Sequence, residues 1–376
     1  MNADLLSMTP EELKQLAVSL HEPAYRGVQI FRWLHRGVDI SGMSDLPAEL
    51  RAKLKECAFV HFPAVDRKLI SAVDGTVKYL FALSDGQMVE SVVMRYKYGN
   101  TICVSSQAGC RMGCRFCAST LGGLIRNLTP GEILGQIIAA QKDLGERISH
   151  IVMMGIGEPL DNYDHVIRFL HLVNEPEGLH IGYRNISLST CGIVSGIEKL
   201  AQEALPVTLS VSLHAATDEE RSAIMPINRK YPVEVLLKAC RSYFKTTGRR
   251  ISFEYTLING KNDSVSQAKQ LAAQLYRFLG RDMPFHVNLI PLNEVKERGL
   301  STSSRKRIKD FSDTLAACGV NATVRRRLGP DINASCGQLR RHYTRSGQSN
   351  VSANGQSSGS LSVQASGSSS EVEGDT

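Results

Sequence analysis

The chain has 376 residues, 42% of them apolar, with a net charge of +7 and an isoelectric point near 8.9. That is enough for a real core and for two domains. No apolar run approaches the ~18 residues of a membrane span. The start Met1-Asn2-Ala3-Asp4 is polar and acidic, unlike a secretory signal, and nine cysteines, an odd number, do not form a secreted disulfide framework. The expected compartment is a reducing cytoplasm. The basic excess favours a polyanionic partner such as RNA.

Residues 1–95 are expected to form a small α+β accessory domain. Thr9-Pro10-Glu11-Glu12 opens a helix through Leu20, with an N-cap, a proline at the first helical position and a glutamate three residues after the cap. Ile30, Phe31, Trp33 and Leu34 mark a second helix, and Leu46 to Cys57 a third. Val77 to Leu83 and Met88 to Met94 are predicted strands, joined by the hairpin turn Asp85-Gly86. Such a module suits substrate docking.

From Thr101 the pattern changes to apolar strands alternating with amphipathic helices. Strands are predicted at 101–106, 150–154, 185–190, 207–213, 251–257 and 285–290, with a further one at 320–326. Helices are predicted at 130–144, 163–173, 233–246, 264–279 and 303–317, the first opened by a second capping box, Thr129-Pro130-Gly131-Glu132. The alternation predicts an α/β class with a parallel sheet, and six repeats over 96–331 predict a partial barrel. Residues 332–345 form a separate C-terminal segment. Beyond it, 346–376 is rich in Ser, Gly, Gln and Asn and is expected to be a disordered tail.

The chemistry begins after the first barrel strand. Cys110, Cys114 and Cys117 stand in Gly109-Cys110-Arg111-Met112-Gly113-Cys114-Arg115-Phe116-Cys117. Three thiolates from one loop suffice for a 4Fe-4S cluster if one iron is left open, where four would close it. A structural zinc site with Cys103 as fourth ligand is the bland alternative. Other polar residues recur just past the strand ends, where an α/β barrel builds its active site. They are Gly157 and Glu158 of Gly155-Ile156-Gly157-Glu158-Pro159, then Ser189, Ser212 with Leu213 and His214, and Asn293. Each alone is also a turn or cap residue; together they argue for one pocket. Cys57, Cys191, Cys240 and Cys318 read as packing. Cys336 sits in a polar loop near Arg325-Arg326-Arg327 and Arg340-Arg341, and positive charge makes a thiol more nucleophilic.

The triad, with its aromatic before the last cysteine, resembles the radical S-adenosylmethionine (SAM) signature. Over roughly residues 5–345 the chain further resembles the dual-specificity radical SAM RNA methyltransferases that modify C2 of adenine. The resemblance rests on Val89-Glu90-Ser91-Val92, Cys103 to Cys110, Met153 to Pro159, Leu188-Ser189-Thr190, Ser212 to Ala215, Met225 to Asn228 and Ala334 to Leu339. It departs at Asn333 and Ser335, where Asp and Ala are expected, and Cys191 is an added thiol.

The resemblance implies a 4Fe-4S cluster on Cys110, Cys114 and Cys117, and SAM held by Gly157, Glu158, Ser189, Ser212, Leu213, His214 and Asn293. It implies that Cys336 accepts a methyl group from one SAM, that a second SAM is cleaved to a 5′-deoxyadenosyl radical, and that the radical activates the Cys336 methyl for addition to adenine. Glu90 would accept a proton. Cys103 would attack Cys336 and release the product, leaving a Cys103–Cys336 disulfide. Implied substrates are the peptidyl-transferase-centre adenosine of 23S rRNA and the adenosine 3′ of the anticodon in tRNA. An electron donor such as flavodoxin, a cytoplasmic location and a monomeric state belong to the same expectation. The alternatives are C8 methylation of the same rRNA adenosine, a radical SAM enzyme acting on a protein or small molecule, and a non-catalytic metal-stabilised RNA-binding module.

Overall fold

Both Thr-Pro-x-Glu boxes start helices as their chemistry requires. The Thr9 and Thr129 hydroxyls accept from the backbone N–H three residues on, and Glu12 and Glu132 accept from the N–H of their own caps. The computed structural model describes residues 2–335 and Gln338. Cys336, Gly337 and the stretch 339–376, which includes the expected tail, lie outside the described residues.

The elements run β1 (Ala3–Asp4), α1 (Pro10–Ser19), α2 (Tyr25–His35), α3 (Ala48–Cys57), β2 (Ala58–Phe59), β3 (Ala64–Ile70), β4 (Val77–Ala82), β5 (Met88–Tyr96) and β6 (Gly99–Cys103). There follow β7 (Gln107–Gly109), β8 (Leu124–Asn127), α4 (Pro130–Leu144), β9 (Ile148–Met153), α5 (Tyr163–Asn174), β10 (Ile186–Thr190), α6 (Val194–Gln202) and β11 (Thr208–Ser212). The chain continues through α7 (Asp218–Ile224), α8 (Val233–Thr247), β12 (Ile251–Leu257), α9 (Val265–Leu279), β13 (Phe285–Pro291), α10 (Arg305–Ala317) and β14 (Ala322–Val324).

Ten strands form one sheet in the order β14-β13-β12-β11-β10-β9-β6-β5-β4-β3. Every pairing from β6 to β14 is parallel, with a helix between successive strands, as parallel crossovers demand. β3, β4 and β5 extend the same sheet antiparallel to one another, and β5 pairs antiparallel with β6. Among the described residues β3 and β14 do not pair, so the barrel is partial, as expected. The continuation places Glu90, on β5, in the strand next to Cys103, on β6.

Four features differ from the sequence expectation. β3 has all seven residues exposed and so lacks the alternating apolar signal of a half-buried strand. The β7–β8 ribbon is made of strands of three and four residues, too short for periodicity. α6 and α7 are short helices in stretches for which no helix is named above. The strand expected at 320–326 is confined to Ala322–Val324, although Arg325 N still donates to Leu289 O at 2.8 Å.

The main core runs without a break from Leu13, Phe31 and Leu50 of the first helices through Ile137 and Phe169 to Leu209 and Phe253 of the barrel. Ser7 Oγ accepts from Gly131 N at 2.8 Å, and Arg168 pairs with Glu12, so the N-terminal helices are tied to α4 and α5. A smaller apolar cluster of Val92, Met94, Cys103, Ile156 and Ala334 lies apart from this core.

Candidate active site

The three cysteines of the triad sit on a loop closed at its base by the β7–β8 ribbon. Gly109 and Gly123 meet there, with Cys110 N donating to Gly123 O at 2.9 Å. Gly109 has φ +84°, and a Cβ on it would lie 2.0 Å from Gly123 O, so only glycine closes the loop in this way. Arg298 donates to Cys117 O (3.0 Å) and to Thr120 Oγ1 (2.5 Å), and Thr120 Oγ1 donates to the carbonyls of Cys114 (3.2 Å) and Cys117 (3.1 Å). These bonds fix the backbone that carries the thiols.

Cys110, Cys114 and Cys117 line one cavity of about 150 Å³ together with Gly157, Glu158, Ser189, Ser212, His214 and Asn293. Nine of the residues the sequence assigns to cluster and SAM therefore meet in one void above the ends of β9 to β13. Leu213 does not: its side chain is buried in the main core. Cys191, which reads as packing, also lines the cavity. So do Glu254 and Thr256 of β12, which the sequence analysis missed. Their signal was present: Ser252, Glu254 and Thr256 alternate with Phe253, Tyr255 and Leu257, giving a strand with a polar face turned inward.

The Gly-Glu turn packs against the chain leaving β6. Ser106 N and Gln107 N donate to Ile156 O at 2.9 and 3.1 Å. Gly157 has φ +109°, and a Cβ there would fall 2.6 Å from Gln107 Cβ. Glu158 Oε2 accepts from Cys191 N at 2.7 Å and Oε1 from Leu160 N at 3.1 Å. Burial raises its pKa, and these amide bonds offset part of that rise. A buried carboxylate on a cavity wall is a seat for a cation such as an ammonium.

His214 takes a left-handed backbone, φ 57°. Its Nδ1 accepts from Thr256 N at 2.9 Å, so a neutral ring carries its proton on Nε2. Burial, with Arg221 adding repulsion, pushes its pKa down to about 3. Arg221 is itself fully buried and donates to the carbonyls of Cys191 (2.7 Å), Ser212 (3.0 Å) and Leu213 (3.1 Å) and to Asn228 Oδ1 (3.0 Å). It ties the ends of β10 and β11 together beneath the cavity. Asn228 belongs to the Met225 to Asn228 motif, which thus has a structural use.

A second, smaller cavity of about 40 Å³ adjoins the first and shares Met154, Ile290, Asn293 and Arg325 with it. Cys103 lines it, as do Ala334 and Ser335, the residues just before Cys336. Cys336 and any Cys103–Cys336 disulfide lie outside the described residues. Glu90 lines neither cavity; it is buried (3% exposed) and pairs with Lys78 Nζ at 2.9 Å.

The donor set fits an iron–sulfur cluster. Burial raises the pKa of all three thiols, that of Cys110 to about 12, and the neighbouring thiols and Glu158 push Cys110 and Cys114 further in the same direction. Three such groups become thiolates together only with strong positive charge between them, which iron supplies. Cys103, the fourth ligand a zinc site would need, lines the second cavity and not the one that the triad lines. A multi-iron cube takes each thiolate on a different iron and so suits donors spread around a void.

Comparison with known proteins agrees in both halves of the chain. Residues 104–272 match the Radical SAM superfamily, and residues 3–60 match the ribosomal RNA large subunit methyltransferase N-terminal domain. A probable dual-specificity RNA methyltransferase RlmN from Clostridium novyi is 49% identical over 345 residues, covering 91% of this chain and 99% of the relative. One from Clostridium perfringens (strain 13 / Type A) is 52% identical, covering 91% and 98%. A radical SAM methyltransferase from Sphaerobacter thermophilus superposes with a TM-score of 0.85 at 44% sequence identity, covering 90% of this chain and 99% of that one. Identity near one half over almost the full length of its relatives makes this chain a member of the RlmN family of dual-specificity RNA methyltransferases, within the radical SAM superfamily.

Proposed function

We propose that the protein methylates C2 of adenine in RNA, at the peptidyl-transferase-centre adenosine of 23S rRNA and at the adenosine 3′ of the anticodon in tRNA. The observation that carries this proposal is the pair of adjoining cavities. One is walled by three thiols and Glu158; the other by Cys103 and the residues leading to Cys336. C2 of adenine is electron-poor and does not attack SAM as a nucleophile, so methylation there needs a radical route and a carbon carrier. Cys103, on the wall of the second cavity, and Cys336, next in sequence after its lining residue Ser335, answer that need; an RNA-binding module would have no use for them.

Held by Cys110, Cys114 and Cys117, a 4Fe-4S cluster would supply the electron that cleaves SAM. The chain's own residues do the rest. Glu158 receives the SAM ammonium, Ser189 and Ser212 offer hydroxyls to its carboxylate or ribose, and His214 offers a neutral Nε2–H. Gly157 brings backbone close to the same ligand, and Leu213 contributes main chain beside His214. Arg327 Nε donates to Asn293 Oδ1 at 2.8 Å, which turns the Asn293 amide for an adenine edge. Cys336 carries the methyl carbon, Glu90 takes up the proton lost from C2, and Cys103 attacks the Cys336 sulfur to free the RNA. The S–S bond forms as the bond from sulfur to the RNA-bound carbon breaks; that carbon keeps the electron pair and takes up a proton, which completes the methyl group. Flavodoxin or a similar donor, a monomer and the cytoplasm complete the proposal.

The deciding experiment is mass spectrometry of the target adenosine after anaerobic reaction with SAM, reductant and protein-free 23S rRNA, beside a Cys336→Ala control. C2 product from the wild type alone supports the proposal. C8 product would reassign the protein to the alternative of C8 methylation at the same rRNA adenosine. 5′-Deoxyadenosine without RNA methylation would remove RNA as the substrate.

A further inference from the structure

β4 is an apolar strand with one charged residue. Lys78, 9% exposed, stands between Val77 and Tyr79, both buried. An ammonium there is costly unless its protons are used. Nζ lies 2.9 Å from Glu90 Oε1 and 3.2 Å from Asn333 O. Asn333 precedes Cys336 by three residues and takes a left-handed backbone, φ 50° and ψ 45°. One side chain thus holds both the carboxylate of β5 and the main chain of the segment running to Cys336.

The sheet register makes the arrangement more than a local ion pair. Lys78 is directly opposite Val92, and Val92 is directly opposite Cys103. Directly paired residues point to the same face, and Glu90, two residues before Val92, shares that face. Lys78, Glu90 and Cys103 therefore project together toward the segment that bears Cys336. That segment has other anchors: Asp331 accepts from Ser71 Oγ (2.6 Å) and Ala72 N (2.9 Å), and Gly329 N donates to Asp74 Oδ2 (2.9 Å). Docking of 329–331 thus does not depend on Lys78. What depends on it is the setting of the next residues against Glu90.

The geometry points to Lys78 as a positioning residue that sets the Glu90 carboxylate against the segment carrying Cys336. This rests on the proposed roles of Glu90 as proton acceptor and Cys336 as methyl carrier. Mere neutralisation of a buried carboxylate would account for the ion pair but not for the second bond, to Asn333 O.

The test compares cluster-loaded wild type with Lys78→Met, Lys78→Arg and Glu90→Gln. Misplacement of a reacting group by about 1 Å costs about 100-fold in rate, so Lys78→Met is expected to lose about that in kcat, with KM for RNA changed less than about threefold. Hydrogen exchange without RNA is the second readout. The Ala334 amide, bonded to Gly329 O at 3.1 Å, should exchange faster in Lys78→Met, while the Ala72 amide, held by Asp331, should not change. Lys78→Arg should recover a large part of both. Turnover near wild type in Lys78→Met overturns the inference, as does a uniform rise in exchange with a fall in Tm. If Glu90→Gln turns over normally while Lys78→Met does not, the proton-acceptor role fails and the loop-setting role of Lys78 survives.

Discussion

Glu158 spends its oxygens on two backbone amides and still stands on the cavity wall. Glu158→Gln keeps most of the shape and removes the charge. A hydrogen bond to a charged group contributes about 1.5–3 kcal/mol, so SAM affinity should fall roughly 10- to 100-fold, measured by equilibrium dialysis under anaerobic conditions. The buried histidines make a pH prediction. Burial pushes His35 and His214 down to about 3 in the folded state. Below the ordinary histidine value of about 6.5 the unfolded chain takes up protons that the folded chain refuses, so stability is present above that pH and is lost as pH falls toward 3. Each histidine should cost about 2 kcal/mol between pH 6.5 and 5. His35 is the cleaner test because it lies away from the cavity, with Nδ1 accepting from Leu179 N at 3.1 Å. His35→Gln should show a shallower loss of urea midpoint over that range; an unchanged slope would refute the assignment. At this scale the sequence exposed residues that carry their own motif, such as Cys110 and Glu158. It hid Lys78, whose partner Asn333 is 255 residues away, and Arg221, whose ligands are mostly carbonyls and so carry no side-chain signature.

The strands that frame the cavity are held at their ends by single side chains. Arg221→Met would strand the carbonyls of Cys191, Ser212 and Leu213 in a dry interior, where unsatisfied groups cost ~1–3 kcal/mol each. A loss of about 3 kcal/mol or more is expected in denaturant unfolding; a loss below 1 kcal/mol would mean water replaces the guanidinium. Gly157→Ala meets both a strained φ and a Cβ 2.6 Å from Gln107, and should destabilise by about 2–4 kcal/mol in the same assay. Elements with strong local chemistry were legible to the residue: Pro130–Leu144 by its cap and Ile251–Leu257 by its alternation of apolar and polar residues. β3 was not, because an edge strand exposed at every position has no periodicity to betray it. The β7–β8 ribbon was not, because its reason for existing is the loop it closes.

Across the whole molecule, the β-α alternation gave the partial barrel, while the junction with the first helices and strands could not be read from pattern. That β5 pairs with β6, and so carries Glu90 beside Cys103, is a property of sheet order. The net charge of +7 bears on RNA at the same scale. If three or more phosphates are neutralised, affinity for an RNA hairpin should fall at least tenfold between 50 and 200 mM salt; a flat response in a binding titration would argue for recognition without phosphate contacts. The bond between Lys78 and Asn333 also has a history in time. At about 5–20 residues per second of synthesis, the 255 residues from the one after Lys78 through Asn333 take roughly 10–50 s to make. During that interval a nascent chain can build the thiol-lined half of its site but cannot close the corner where Glu90 faces the segment leading to Cys336. Birth order therefore completes the thiol-lined cavity before the corner that Lys78 and Asn333 close.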